Sequence, residues 1–292
     1  AQQAGAPVRP VLGSVGDEAL LTRLFAEEAV DVVFHAAAHK HVPLVEANVL
    51  EGVRNNVFGT EVLVAAAVSA GVAHFVLISS DKAVRPKSVM GATKRWAELI
   101  VRHYGSRADG RERRFCSVRF GNVLGSNGSV VPLFREQIAA GGPVTLTDTR
   151  MTRYFMSLHE AAELIVEAGA LSQGGDIFLL EMGEPVRIAD LAENMIRLAG
   201  LSLRSADNPA GDIAILETGA RPGEKLTEEL FFDPANAERT EHSKILRSPP
   251  AARPTDDLPE ALAALRHALD RGDETEVRRV LQKSVGLDLV DD

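Results

Sequence analysis

The sequence predicts an α/β fold: a doubly wound parallel sheet, followed by a smaller, partly interleaved α/β unit. Three observations support this. Short β-branched runs alternate with longer amphipathic segments, the rhythm of a parallel sheet with right-handed helical crossovers. Several of those runs are continuously apolar, as strands buried on both faces are. Polar residues gather where the runs end, the edge at which such sheets bind ligands.

In chain order, residues 8–12 read as a strand and 17–28 as a helix capped by Asp17. Residues 31–35 read as a buried strand, and 52–70 as a helix stopped at Gly71. Residues 74–79 and 115–120 are strands on either side of a helix over 91–104 that stacks Trp96, Leu99 and Ile100 on one face. Helices over 132–140 and 158–170 and a strand over 176–180 follow. Then come shorter elements, a proline-rich stretch at 248–254 and two terminal helices. The expected division is 1–128 plus 155–183 for the nucleotide-type domain, and 129–154 plus 184–292 for the substrate domain.

Composition narrows the function. The 292 residues are 45% hydrophobic and 25% charged, enough for a large core without staples. A net charge of −9 with one Trp, two Tyr and eleven Phe argues against a nucleic-acid binder, so an anionic ligand must be met by a few local cations. The single cysteine, Cys116, excludes an internal disulfide framework. No run approaches the roughly 18 apolar residues of a membrane span, and the start lacks the features of a signal peptide.

The polar clusters at the strand ends are Ser14, the stretch His35-Ala-Ala-Ala-His39-Lys40-His41, Ser79-Ser80-Asp81-Lys82, and Gly121-Asn122. The Ser-Ser-Asp-Lys group sets a hydroxyl, a carboxyl and an amine directly after a strand, able to donate and accept protons in one small volume; the ordinary alternative is a capped loop with an Asp–Lys pair. Ser79-x-x-Lys82 fits a penicillin-binding pattern, but its companion motifs are missing. His35, His39 and His41 have no cysteine or acidic cluster nearby, so no metal is expected. The loop from Gly121 to Gly128 precedes a helix as a phosphate loop would, without the spacing of a dinucleotide fingerprint. Arginines 119, 135, 153 and 221 suit a diphosphate, or are scattered surface charges.

These segments resemble the extended short-chain dehydrogenases, and within them the polysaccharide-biosynthesis dehydratases that act on UDP-N-acetylglucosamine. The resemblance is carried by His35-Ala-Ala-Ala-His-Lys-His-Val-Pro43, Asn56-Val-Phe-Gly-Thr60, Ser79-Ser-Asp-Lys-Ala-Val-Arg-Pro86 and Met90-Gly-Ala-Thr-Lys-Arg95, then by Arg119-Phe-Gly-Asn-Val-Leu-Gly-Ser126, Met151-Thr-Arg-Tyr-Phe-Met156 and Arg221-Pro-Gly-Glu-Lys225. It implies a Rossmann-like domain binding NAD(P)+, with Ser14, Val15, His35, Ala36, Ala37, Asn56 and Lys94 on the cofactor side. It likewise implies that Lys40, Asn122, Arg153, Arg221 and Glu224 hold a UDP-sugar, and that the protein forms a homo-oligomer.

Three departures from the family pattern matter. Nothing before Ser14 supplies the first strands and glycine-rich loop, a piece of about 50 residues, so the chain is expected to be a fragment. Met90 stands where the family's Tyr-x-x-x-Lys pair has its tyrosine, and a thioether cannot exchange protons. Methionine there is similar to the long, membrane-anchored branch, which implies an anchor outside this stretch and a place at the cytoplasmic face of the inner membrane. Ser14 replaces an adenine-contacting Asp.

The chemistry implied is oxidation at C4 of the sugar, loss of water across C5 and C6, and hydride return to C6. Asp81 is then the general acid, Lys82 the C5 base, and Ser80 a donor to the C4 oxygen, with Lys94 and the silent Met90 completing the catalytic group. Burial is expected to raise the carboxyl and neighbouring cations to lower the lysine. The alternatives are a UDP-sugar 4-epimerase and a non-catalytic NAD(P)-sensing relative.

Overall fold

The computed structural model describes residues 7–106, 112–126, 128–219, 223–229, 237–249 and 257–285. Its first half contains α1 (Glu18–Glu27), β1 (Val32–His35), α2 (Val42–Glu46), α3 (Val49–Val53), α4 (Gly59–Ser69), β2 (His74–Ile78), α5 (Val89–Gly105) and β3 (Arg114–Arg119). The middle holds β4 (Asn122–Val123), α6 (Val130–Ala139), β5 (Val144–Leu146), β6 (Thr152–Arg153), β7 (Phe155–Met156), α7 (Leu158–Leu171) and β8 (Asp176–Leu180). Then come β9 (Val186–Arg187), α8 (Ile188–Leu198), β10 (Leu203–Arg204), β11 (Ile213–Glu217), β12 (Glu238–Arg239), β13 (Ile245–Arg247), α9 (Leu258–Asp270) and α10 (Glu274–Val285).

The main sheet runs β1-β2-β3-β8-β13-β12. Its first four strands are parallel, and β13 returns antiparallel on β8. Alternation along β2 makes the fold doubly wound: Phe75 and Leu77 join a core with α4 and α5, while Val76 joins the opposite core under α7. A third core gathers α6, α8, β5 and β11 around Phe134, Val144, Ile196 and Ile213.

Local chemistry explains the helix ends. The Asp17 carboxylate accepts from the Leu20 amide at 3.0 Å, as its capping role requires. Gly71 closes α4 at φ +77°, where a Cβ would be strained.

Several expectations need correction. Residues 8–12 are not a strand: among the described residues they have no ladder partner, and Leu12 is fully exposed. The strand at 32–35 is an edge strand, with Val32 42% and Phe34 48% exposed, because one side of it has no described neighbour. The helix expected over 52–70 starts at Val49 and widens into a π-helical turn at Arg54–Phe58 that places Asn56 in the interior. Chain position assigned the C-terminal residues to the substrate unit, yet β13 extends the main sheet. Leu262, Leu265, Val277 and Leu281 of α9 and α10 likewise pack into the core of α4 and α5. Most of the proline-rich stretch lies outside the described residues.

Candidate active site

The parallel strands β1, β2 and β3 end side by side, which brings His35, the 79–82 turn and Gly121-Asn122 to one edge. After β2 the chain forms a tight turn, Asp81–Ala83, that runs beneath the start of α5. Ser88 caps that helix by accepting from the Gly91 amide at 3.1 Å. Gly91 is required by packing: a Cβ there would lie 2.4 Å from the Lys82 carbonyl oxygen. The helix therefore rests on the turn and brings Met90, Thr93 and Lys94 with it.

Within the turn, Asp81 is fully buried. Its Oδ1 accepts from the Ser80 hydroxyl at 2.7 Å and from the Lys82 ammonium at 3.0 Å, while Oδ2 has no partner among the described residues. The Lys82 ammonium also lies 3.3 Å from Oε1 of Glu228, a buried residue that the sequence reading did not single out. Burial alone would lower the Lys82 pKa, but these two carboxylates outweigh it and hold the lysine above its ordinary value of 10.5. The expectation that neighbouring cations depress Lys82 is thus reversed: its nearest partners are anions.

Behind the turn lies a buried ionic cluster. Glu98 accepts from Ser79 at 2.6 Å, from Arg119 Nε and Nη2 at 2.7 and 2.6 Å, and from Arg95 at 2.9 Å. Burial would raise its pKa, but the arginines hold it down at about 2. Arg119 is therefore an internal counter-charge and faces no ligand. The Lys94 ammonium donates to the Ile78 carbonyl at 2.9 Å; burial lowers it to about 8 despite Glu98.

Residues placed on the cofactor side divide into two groups. The Thr60 hydroxyl gives its one proton to the Asn56 carbonyl at 2.7 Å, so it must accept from His35 Nε2 at 2.9 Å. His35 Nδ1 is then an acceptor with no partner among the described residues; burial, with Lys94 nearby, pushes this imidazole down to about 4, so it stays neutral. Asn56 acts differently. Its amide accepts from the His39 N–H and donates to the His39 carbonyl and to Thr93 Oγ1, at 2.8, 3.0 and 3.0 Å. With both donors committed, Asn56 holds His39 of the loop that follows β1. Ser14 accepts from the Gly16 amide at 3.1 Å and closes the turn before α1, with Val15 half-buried beside it; Ala36 and Ala37 are exposed.

A nicotinamide dinucleotide is matched in part. The buried acceptor on His35 and the Lys94 ammonium suit ribose hydroxyls, whereas no described residues form a glycine-rich turn for its pyrophosphate. Met90 is buried in the hydrophobic core, 2% exposed.

Beside the turn opens a cleft of about 470 Å³, lined by Lys40, His41, Lys82, Lys87, Asn122, Arg153, Glu224, Lys225 and Glu228 among others. Five of these side chains are Lys or Arg against two carboxylates, a local cationic excess in a chain of net charge −9. Lys40, Asn122, Arg153 and Glu224 thus line one cleft with Lys82. Arg221 lies outside the described residues. Arg153 is 11% exposed, and its guanidinium already donates to the carbonyls of Thr152, Lys225 and Leu226 at 2.7, 2.9 and 3.2 Å. Its first role is to fasten the 225–226 backbone. The histidines diverge: His39 lies near Glu51 at 3.6 Å and His41 packs on Gly128. Among the described residues no His, Cys, Asp and Glu group is placed to hold a metal ion.

The family described as "Polysaccharide biosynthesis protein" matches residues 1–250. The chain is 51% identical over 222 residues to the capsular polysaccharide biosynthesis protein CapD of Staphylococcus aureus, covering 76% of this chain and 36% of that protein. It is 34% identical over 225 residues to an inverting UDP-N-acetylglucosamine 4,6-dehydratase of Campylobacter jejuni, 77% of this chain and 62% of the relative. A UDP-glucose 4-epimerase of Rickettsia canadensis is 38% identical over 215 residues, 73% and 60% respectively. The chain therefore spans between about one third and two thirds of these relatives.

Among solved structures, Pen from Bacillus thuringiensis superimposes with a TM-score of 0.75 at 36% identity, covering 86% of this chain and 76% of that one. A double mutant of DesIV, the dTDP-glucose 4,6-dehydratase of Streptomyces venezuelae, was solved with NAD bound. It gives a TM-score of 0.66 at 25% identity, covering 78% and 72%.

Proposed function

This chain belongs to the polysaccharide biosynthesis protein family, and from that premise we propose that it is an NAD(P)-dependent nucleotide-sugar 4,6-dehydratase acting on UDP-N-acetylglucosamine. The observation that carries the reading is the ion pair between buried Asp81 and Lys82, whose side chain lines a cationic cleft. The relatives named as dehydratases and epimerases support the wider class of nucleotide-sugar enzyme.

When bound, the oxidised nicotinamide supplies a hydride acceptor at C4 of the sugar and gives that hydride back at C6. The chain supplies position and protons. The cleft cations take the diphosphate, with Arg221 and Glu224 on the uridine diphosphate and Lys40 near the sugar. The Ser80 hydroxyl, which donates to Asp81 in the resting site, turns to the C4 oxygen when the sugar binds, and Lys94 orients the ribose. Met90 has no proton to exchange, so the C4 proton falls to Lys94, Asp81 or water.

Elimination needs one group that accepts a proton from C5 and one that donates to the departing C6 hydroxyl. The resting pair is Lys82 ammonium on Asp81 carboxylate, joined at 3.0 Å. Moving one proton along that hydrogen bond gives a neutral amine and a protonated carboxyl, the base and acid required. Covering the cleft with substrate favours the neutral pair, because desolvation penalises charges.

The test is incubation of the protein with NAD(P)+ and UDP-N-acetylglucosamine, followed by NMR. A 4-keto-6-deoxy product supports the reading; inversion at C4 with no loss of water supports the epimerase instead. Asp81→Asn should slow water loss by about 10²–10⁴ while UDP still binds. Turnover at the wild-type rate would make Asp81 a structural loop residue.

A further inference from the structure

Glu228 lies far along the chain from the catalytic turn, yet the structure clasps the two segments together. Lys225 is buried and donates to the Val84 carbonyl at 2.9 Å, while Arg85 pairs with Glu229. A Cβ on Gly223 would sit 3.0 Å from that of Ser88. Arg85 is held at φ +38°, a left-handed backbone uncommon for a residue with a side chain, as it follows the turn into this clasp. Arg153 fixes the other side through the Lys225 and Leu226 carbonyls.

The clasp delivers one carboxylate to one ammonium. Glu228 Oε1 lies 3.3 Å from Lys82 Nζ and 3.6 Å from Arg153 Nε, and Oε2 is buried with no hydrogen-bond partner among the described residues. We propose that Glu228 is a positioning residue for Lys82: carried on the 223–229 segment, its carboxylate completes a two-anion cage with Asp81 that holds the proton on the lysine in the resting site. The groups facing Lys82 are Asp81 from its own turn, Glu228 from the clasp and Arg153 from β6. Lys40, His41, Lys87, Lys225 and Glu224 line the same cleft. Asp81, Lys82, Glu228 and Arg153 together form a balanced set of two anions and two cations. Removing the Glu228 charge leaves two cations facing one carboxylate, so Lys82 gives up its proton more readily.

The consequence for turnover rests on the dehydratase reading above, but the cage itself does not. Lys82 is one quarter exposed and reachable by a small reagent. Trace acetylation with acetic anhydride across a pH series, read by mass spectrometry on the peptide carrying Lys82, gives the midpoint of its titration without any substrate. In Glu228→Gln that midpoint should fall by about 1 unit or more. An unchanged or higher midpoint in the folded variant overturns the cage. Should Glu228→Gln not fold, Glu228→Asp decides, because it keeps the charge but withdraws it by one methylene. An intermediate midpoint supports the cage and a wild-type midpoint overturns it. With UDP-N-acetylglucosamine, the limb of the pH–rate profile that belongs to Lys82 should move to lower pH by the same amount. A labelling midpoint that moves while the rate profile stays fixed leaves the cage standing and removes Lys82 from the proposed chemistry.

Discussion

Replacing Glu98 by glutamine tests the frame beneath the site. The side chain is fully buried, and its two oxygens take hydrogen bonds from Ser79, Arg95 and Arg119 at 2.6–2.9 Å. Glutamine keeps the shape but removes the Glu98 charge from beside Arg119, 1% exposed, and Arg95, 8% exposed. Breaking a buried pair by removing one partner destabilises by about 3–5 kcal/mol, a large part of the 5–15 kcal/mol that holds a typical domain. The ionisation gives an independent figure. A carboxyl held at about 2 against an ordinary 4.5 corresponds to about 3 kcal/mol of stability. Because the folded pKa is the lower one, this contribution is complete above pH 4.5 and disappears as pH falls toward 2. Denaturant unfolding followed by fluorescence of the single Trp96, buried two residues away, measures both effects. The variant should lose about 3–5 kcal/mol at pH 7, and the gap to wild type should narrow between pH 4.5 and 2. A loss under about 1 kcal/mol, the worth of an exposed pair, or a gap that ignores pH would refute the reasoning.

Gly91→Ala places a methyl 2.4 Å from the Lys82 carbonyl, so it should destabilise by about 1–3 kcal/mol and displace the Asp81–Lys82 turn; wild-type melting and turnover would show that the turn yields freely. Lys94→Met should abolish turnover while stabilising the fold at pH 7 by about 1–3 kcal/mol. The sign follows from a folded lysine pKa of about 8 against 10.5. The wild-type penalty is complete below 8 and fades toward 10.5, so a gain that stays constant over that range contradicts the burial argument. Arg221→Ala should weaken UDP binding by about 1.5–3 kcal/mol in calorimetry. Arg153→Ala should lower both UDP affinity and melting temperature, since its guanidinium holds the 225–226 backbone; lost affinity with unchanged melting would return Arg153 to a purely ligand-facing role.

Much of the framework is legible in the chain because the signals are local. A capping Asp17, a stopping Gly71 and the runs at 74–79 and 115–120 act within a few residues, and the structure has α1, α4, β2 and β3 there. Strand ends follow from strands, so the edge that gathers His35, Asp81 and Lys82 is legible too. The 8–12 run misleads because β-propensity describes a fit to a pleated neighbour, and no described strand lies beside it. The π-helical turn at Arg54–Phe58 also escapes notice: a 3.6-residue pattern continues across it, and only the inward demand of Asn56 marks it.

What the sequence by itself determined is the alternation that makes a doubly wound sheet, and the set of acid, base and hydroxyl groups at its carboxyl edge. What only the tertiary structure decided is which partners surround each of those groups. Glu98 and Arg119 are 21 residues apart and still form a hydrogen-bonded ion pair at 2.6 Å. Glu228 reaches Lys82 across half the length of the chain. A pKa depends on burial and on charges within a few ångströms, and neither quantity is a function of spacing along the chain. The residues could therefore be named from their order, but that Lys82 is held as a cation and Arg119 faces inward follows only from what the fold sets beside them.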